Sequence, residues 1–424
     1  MITREENDLM TRIEGDAPMG RLMREHYWIP FALSSQLKPE DAPLQVRLLG
    51  ENYVAFRAAD GRIGFFDELC PHRRASLALG RVEGNGLRCI FHAWKMDVSG
   101  RVVEAPTQLV KPNEFCERVK VAHFPVHEAG GLVWVWLGKA ASPSSEPPPF
   151  PELPFVGEHE TNTWVSVTRV PCNWLQGVEG ALDSAHVGVL HQSWVRDMGD
   201  LKSVPNIRMS LDGPPRYETT TAPYGMRAAA LRQRQDGRTY TRVTEYFMPF
   251  VALVPADRPA PNEGYLFIFS PVDDQTHLIL WGYYSLRRRR PPEKIGLAEP
   301  DFVGDVHNYA PPEGGRAARW GQDRARMRQG HFSGFGRTLI GEDIAIQASM
   351  GPIVDRTREN VSSSDVAVVQ ARRLLLRSLE NMAAGQLPPG SALNSEPVRV
   401  ANPLDVVLDA GVRWEDFSAE KNAA

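Results

Sequence analysis

The feature that most restricts what this chain can fold into is a pair of cysteine–histidine clusters: Cys70-Pro71-His72 and, sixteen residues later, Cys89-Ile90-Phe91-His92. Each stands among turn-forming residues, and together they offer two thiols and two imidazoles, the soft to borderline ligands of iron and zinc. Two arrangements use such a set. One ion takes all four ligands, as in a zinc site, or two thiolates bind one iron and two imidazoles the other iron of a binuclear iron–sulfur centre. In an extended loop the i and i+2 side chains of C-x-H point the same way, so each loop can give one ligand to each iron. Zinc fingers usually pair Cys with Cys and His with His, so the spacing favours the binuclear centre. Four cysteines in 424 residues are too few for a disulfide framework.

Around these clusters the pattern is one of short alternating runs closed by turn signals, Gln45–Leu49, Tyr53–Arg57, Asp60-Gly61 and Ile63–Phe66, which predicts a small antiparallel β domain over residues 27–140. Residues 1–26 form an N-terminal segment with a helical stretch at Glu5–Ile13 and a break at Ala17–Gly20. Residues 141–154 have the Pro/Ser-rich composition of a linker. Beyond it, residues 155–424 mix the two periods in separate blocks. Helical patterns at Asn173–His191, Gly315–Gly330 and Ser364–Ala384 flank strands between Arg208 and Ser285, with a hairpin signal at Asp236-Gly237. The last helix has Ser364 as N-cap and Gly385 as stop. The fold class is therefore α+β: a small antiparallel β domain and a larger domain with a helix-covered antiparallel sheet. The run Arg287–Arg290 reads as a solvated loop.

A second dense group begins at Asn173-Trp174 and runs through Glu179, Asp183 and His186 to His191. Five residues separate the histidines, which on an unbroken helix turns them about 140° apart. They can reach one ion only if the helix bends or ends between them, and Gly188 lies in that interval. Asp183, three residues before His186, is placed to accept a hydrogen bond from that imidazole's free nitrogen.

The pattern C-P-H-R, then C-x-x-H-x-W with Trp94, followed about a hundred residues later by N-W…E…D-x-x-H-x-x-x-x-H, resembles the oxygenase (alpha) component of Rieske non-haem iron ring-hydroxylating oxygenases. Trp320–Phe335 and Met350–Thr357 look like the phthalate dioxygenase branch, and the resemblance spans about residues 20–385. One departure is Ala93, where relatives often have glycine. The resemblance implies a Rieske [2Fe-2S] cluster on Cys70, His72, Cys89 and His92, and a mononuclear Fe(II) on His186, His191 and Asp343, with Glu342 as the rival to Asp343. It gives Asp183 as the electron bridge to His92 of a neighbouring subunit, hence a homo-oligomer, a trimer or stacked trimers. It also implies O2 as cosubstrate, NADH acting only through a separate flavin/iron–sulfur reductase, and dihydroxylation of an aromatic carboxylate such as a phthalate, chlorobenzoate or phenoxybenzoate. A carboxylate in an apolar pocket needs a matching cation, for which the strands offer Arg227 and Arg242. An outward-facing arginine on the sheet is the alternative for each.

Composition bounds the remaining classes. Forty-eight Lys and Arg against 52 Asp and Glu leave a net charge of −4, so no global field draws the chain to nucleic acid or an anionic membrane. No apolar run approaches a membrane span, and the start MITREENDLM lacks a signal-peptide pattern, which leads to a cytoplasmic expectation. G-x-G-x-x-G is absent, in keeping with an external reductase. The competing readings are a Rieske monooxygenase or demethylase, a Rieske electron-transfer protein without oxygenase chemistry, and a zinc-stabilised binding protein.

Overall fold

The computed structural model describes residues 2–138, 146–156, 163–198, 206–255, 263–285, 315–335, 338–391 and 401–417. Two compact units emerge, residues 13–150 and residues 1–12 with 151–424. The basic run Arg287–Arg290 lies outside the described residues.

Helix α1 (Arg4–Thr11), opened by a Thr3/Glu6 capping box, belongs to the larger unit. The smaller unit starts with α2 (Pro18–His26), where sequence suggested a break. Proline at the first helical position gives up only an N–H that has no partner there, and Met19, Leu22 and Met23 supply a buried face. Strand β1 (Trp28–Leu33) comes first, and β2 (Leu44–Leu48), β3 (Glu51–Arg57) and β4 (Ile63–Asp67) follow the predicted runs. Next come the short strands β5 (Arg81–Glu83), β6 (Gly86–Arg88), β7 (Lys95–Asp97) and β8 (Val102–Glu104). Helix α3 (Pro112–Arg118) and strands β9 (Val126–Ala129) and β10 (Leu132–Trp136) complete the unit. They form three small antiparallel sheets, β1-β10-β9, β2-β3-β4 and β5-β6-β7-β8. Of the proline-rich segment, Phe150 packs on Trp28, His127 and Trp134 of this unit.

The larger unit is built on one eight-stranded antiparallel sheet. Its strands are β11 (Thr163–Val170), β12 (Arg216–Ala222), β13 (Gly225–Gln233), β14 (Thr239–Phe247), β15 (Val251–Pro255), β16 (Glu263–Asp273) and β17 (Thr276–Ser285). Their order is β11-β17-β16-β15-β14-β13-β12, with β18 (Leu404–Leu408) pairing along β14. Asp236-Gly237 turns the β13–β14 hairpin, Gly237 at φ +82. Helix α4 (Trp174–Leu182) lies across β15, β16 and β17. It carries glycines where the sheet comes close: a Cβ on Gly177 would sit 2.2 Å from the Phe269 ring.

Three helix predictions need correction. The stretch 173–191 is not one helix: α4 ends at Leu182, His186–Gly188 form a single 3-10 turn, and α5 (Gln192–Met198) starts afresh. A Cβ on Gly188 would meet the Ser210 carbonyl at 2.0 Å, so the chain passes there only as glycine. Residues 315–330 hold only a 3-10 turn and the five-residue helix α6 (Arg324–Arg328), because Trp320 at φ +49 interrupts the helix and the stretch buries no apolar side chain. After α7 (Leu339–Ser349), helix α8 (Val366–Ala383) ends at Gly385 with φ +76 as expected, but Ser362 rather than Ser364 caps the turn leading into it. Among the described residues no helix is long and apolar enough to cross a membrane.

Candidate metal centres and pocket

In the smaller unit, Cys70 and Cys89 are buried in a cluster with Phe56, Phe66, Leu77, Trp94 and Met96, while His72 and His92 are only half-buried. The two thiols share one buried cluster, with Cys89 near enough to act on Cys70 electrostatically, and the two imidazoles stand with ring centroids 4.5 Å apart. His72 stacks on Trp94 at 4.3 Å and 8°, and the indole is anchored by its N–H donating to Thr107 Oγ1 at 2.9 Å. The four ligands thus sort into a thiol pair inside and an imidazole pair outside. That fits two thiolates on one iron and two imidazoles on the other, and argues against one tetrahedral ion. The loops are built alike: residue i+4 after each cysteine donates its N–H to that cysteine's carbonyl at 3.0 Å, Arg74 at φ +58 and Ala93 at φ +59. Burial pushes the Cys70 thiol up to about 11, so a thiolate there depends on the charge of bound metal.

In the larger unit, His186, His191 and Asp343 offer ligand atoms within 4.8 Å of one another. The helix break after Leu182 makes this possible, since it lets residues five apart turn toward one point. Both Nε2 atoms face Asp343 Oδ1, His186 at 3.4 Å and His191 at 3.1 Å. Both Nδ1 atoms face a second carboxylate. For His186 it is Asp183, 3.6 Å away; for His191 it is Glu342, 2.6 Å away. Each imidazole is thereby held with Nε2 free for a metal, as carboxylate–histidine–metal arrangements require. Two imidazoles and one carboxylate are the donor set of mononuclear non-haem iron sites.

The Asp183–His186 contact arises differently from the expected helical i,i+3 pair. Asp183 is the residue that ends α4, and its Oδ1 accepts from the Ala185 N–H at 2.8 Å and the Tyr217 hydroxyl at 3.4 Å. Glu342 is completely buried, accepts a hydrogen bond from the Ser333 hydroxyl, and is the partner of His191 rather than the carboxylate that faces both Nε2 atoms. Sequence singled out Glu342 only as a rival to Asp343, and Ser333 not at all. The adjacent acids Glu342-Asp343 at the start of a helix were the one available signal. Burial opposes charge on His186, yet the Asp183 and Asp343 carboxylates outweigh it and lift the imidazole to about 10. Burial likewise works against the Asp343 charge, and the two imidazoles outweigh it and hold that carboxyl low. A divalent ion entering here displaces protons.

The triad opens into a pocket of about 910 Å³, its mouth included. Its apolar walls come from one sheet face through Val254, Tyr265, Phe267, Phe269 and Ile279, and from Leu339 and Ile340 of α7. Of the two arginines, Arg242 lines the pocket and pairs with the buried Asp405, which also accepts from the Tyr240 hydroxyl at 3.1 Å. Arg227 is not among the lining residues. It pairs with the buried Glu245 at 2.9 Å and stacks on Trp414 at 5.0 Å.

Comparison with known proteins agrees with both centres. Residues 27–124 match the Rieske [2Fe-2S] domain family, and residues 135–424 match the family described as LigXa C-terminal domain like. The phthalate 4,5-dioxygenase oxygenase subunit of Pseudomonas putida is 38% identical over 99% of this chain and 95% of its own. The 3-chlorobenzoate-3,4-dioxygenase oxygenase subunit of Comamonas testosteroni is 34% identical over 92% of each. Among solved structures, dicamba monooxygenase bound to 3,6-dichlorosalicylic acid shares the fold, with a TM-score of 0.58 at 18% identity over 85% of this chain and 99% of that one. The chain belongs to the Rieske non-haem iron ring-hydroxylating oxygenases, as an oxygenase component that works with a [2Fe-2S] cluster, a mononuclear iron, O2 and a separate reductase.

Proposed function

We propose that this chain dihydroxylates an aromatic carboxylate of the phthalate, chlorobenzoate or phenoxybenzoate kind in the catabolism of aromatic compounds. The observation that carries the reading is the pocket: a histidine–histidine–aspartate triad, aromatic and aliphatic walls, and one arginine, Arg242. In the assignment, Cys70, His72, Cys89 and His92 hold the cluster, and His186, His191 and Asp343 hold the iron. When bound, the cluster relays single electrons and the iron activates dioxygen. The chain's own residues do the rest. Glu342 and Asp183 fix the two imidazoles, the apolar walls exclude water and receive the ring, and the Arg242 guanidinium orients its carboxylate.

Asp405 engages Arg242 through Nη1, and the Pro255 carbonyl accepts from Nη2 at 3.4 Å. A substrate carboxylate would share the positive charge of this guanidinium with Asp405. Asp183, touching His186 and 30% exposed, is the proposed bridge to His92 of the partner subunit. That role requires a homo-oligomer, a trimer or stacked trimers. Support for it comes from the Asp183–His186 contact and from the family resemblance. A cytoplasmic setting belongs to the same reading.

Turnover of a panel of benzoates and phthalates with a competent reductase, products read by mass, tests the proposal. A diol from at least one aromatic carboxylate is expected. In Arg242→Met made together with Asp405→Asn, so that no buried charge is left alone, the KM for that acid should rise roughly 10- to 100-fold more than for its amide, relative to Asp405→Asn alone. Equal effects on acid and amide would take the carboxylate role from Arg242. No oxygenated product from any acid, with both metals loaded, would reject the substrate class.

A further inference from the structure

Among the polar groups that line the pocket besides Arg242 and the triad is Gln347. Gln347 lies on α7 four residues after Asp343, hence on the same helix face and about 6 Å further along the axis. It lines the pocket and is 5% exposed, and its Oε1 has no hydrogen-bond partner. Its backbone is well held, the carbonyl accepting from Gln176 Nε2 at 2.9 Å. The side chain lies against the bare backbone of α4: a Cβ on Gly180 would be 2.8 Å from Gln347 Nε2.

The sheet beneath fixes which end of the pocket this is. Gly177, one turn before Gly180, rests on Phe269 of β16, which pairs with Ile279 of β17. Arg242 and Thr244 rise from β14, two strands from β16. Two inter-strand spacings are about 10 Å, enough for a ring substituted at both edges. Between the two poles the sheet contributes Val254, Tyr265 and Phe267. A carboxamide oxygen left unpartnered in such a place loses free energy unless something in the pocket bonds to it.

We propose that Gln347 is a specificity-determining residue, and that its carboxamide hydrogen-bonds a hydroxyl on the substrate ring at the edge away from the carboxylate. A hydroxyl both donates and accepts, so it satisfies the amide whichever way Oε1 and Nε2 are turned. The preferred substrates are then hydroxylated aromatic carboxylates, held at both edges with the ring presented to the His186–His191–Asp343 triad. This inference rests on the aromatic-carboxylate reading above.

The test is anaerobic calorimetric binding of 4-hydroxybenzoate and of benzoate to the metal-loaded protein. Wild type should bind the hydroxylated ring about tenfold more tightly, the worth of one buried hydrogen bond. That ratio should fall to near one in Gln347→Leu. Gly180→Ala, which pushes the carboxamide aside without altering it, should lower the ratio as well, so the result does not hang on one variant folding. A wild-type ratio near one, or a tenfold ratio kept in both variants, overturns the proposal and leaves the carboxylate reading intact. Binding of neither ring by wild type overturns both.

Discussion

At the residue scale, the second carboxylates behind the histidines carry the most specific consequences. Glu342 fixes His191 through a 2.6 Å contact between two buried side chains. Glu342→Ala should weaken metal binding roughly 10- to 100-fold. Glu342→Gln, whose carbonyl oxygen still accepts from Nδ1–H, should fall between. Titration of the mononuclear site with Fe(II) or Co(II) measures this, and an unchanged affinity in Glu342→Ala would remove the role. For Asp183→Asn, which keeps the shape and loses the charge, the expectation is near-normal metal content with electron transfer to the iron slowed by orders of magnitude. Single-turnover rates equal to wild type would deny it the bridge. The ligand candidates Cys70, His72, Cys89, His92, His186, His191 and Asp343 were all legible in the sequence, because metal ligands are few in kind and their spacing is constrained. Glu342 as a histidine partner, Ser333 and Gln347 were not. The parts of Glu342 and Gln347 depend on a fold that brings residues about 150 positions or more apart into contact, and local spacing carries no trace of that; Ser333 acts through Glu342, nine residues on, and enters with it.

At the scale of elements, the hairpins and the Gly385 stop of α8 were readable from alternation and turn residues, whereas the break between α4 and α5 was not. The break after Leu182 is invisible in an apolar, helix-forming stretch; it is imposed by Asp183 turning back on the Ala185 N–H and by Gly188 passing the Ser210 carbonyl. The cluster loops show a related tension, since Ala93 is held at φ +59, a conformation costly for any residue with a Cβ. Ala93→Gly should therefore stabilise the protein by roughly 1 kcal/mol with the cluster spectrum unchanged, a difference that urea unfolding resolves. No gain would mean that the loop is unstrained. Strand β17 contributes a pH dependence. His277 is fully buried, its Nδ1–H donates to the Cys172 carbonyl at 2.8 Å, and burial drives its pKa from 6.5 down to about 4. Because the unfolded chain binds the proton more readily in that window, stability is present above pH 6.5 and is lost as pH falls toward 4. The loss amounts to roughly 3 kcal/mol. Urea midpoints at pH 7 and pH 4.5 should separate less in His277→Gln than in wild type. Equal separation would assign the acid sensitivity elsewhere.

At the scale of the whole molecule, two independent ligand sets lie on two compact units of one chain. Metal analysis should return about three irons and about two labile sulfides per chain. About two irons would describe an electron carrier, and zinc in their place a structural site. The proposed coupling between copies requires an oligomer, so light scattering should find a trimer or a multiple of it, and a dilute monomer with full activity would contradict that. In the proposed reaction the His186–His191–Asp343 centre performs the oxygenation with electrons from a separately held cluster. The most direct measurement of this is a single turnover of the reduced protein with an aromatic carboxylate and 18O-labelled dioxygen, the product read by mass. The expected result is a diol with both oxygens labelled from wild type, and no product from His191→Ala although its Rieske spectrum is intact. Unlabelled product, or a wild-type yield of labelled diol from His191→Ala, would contradict the account.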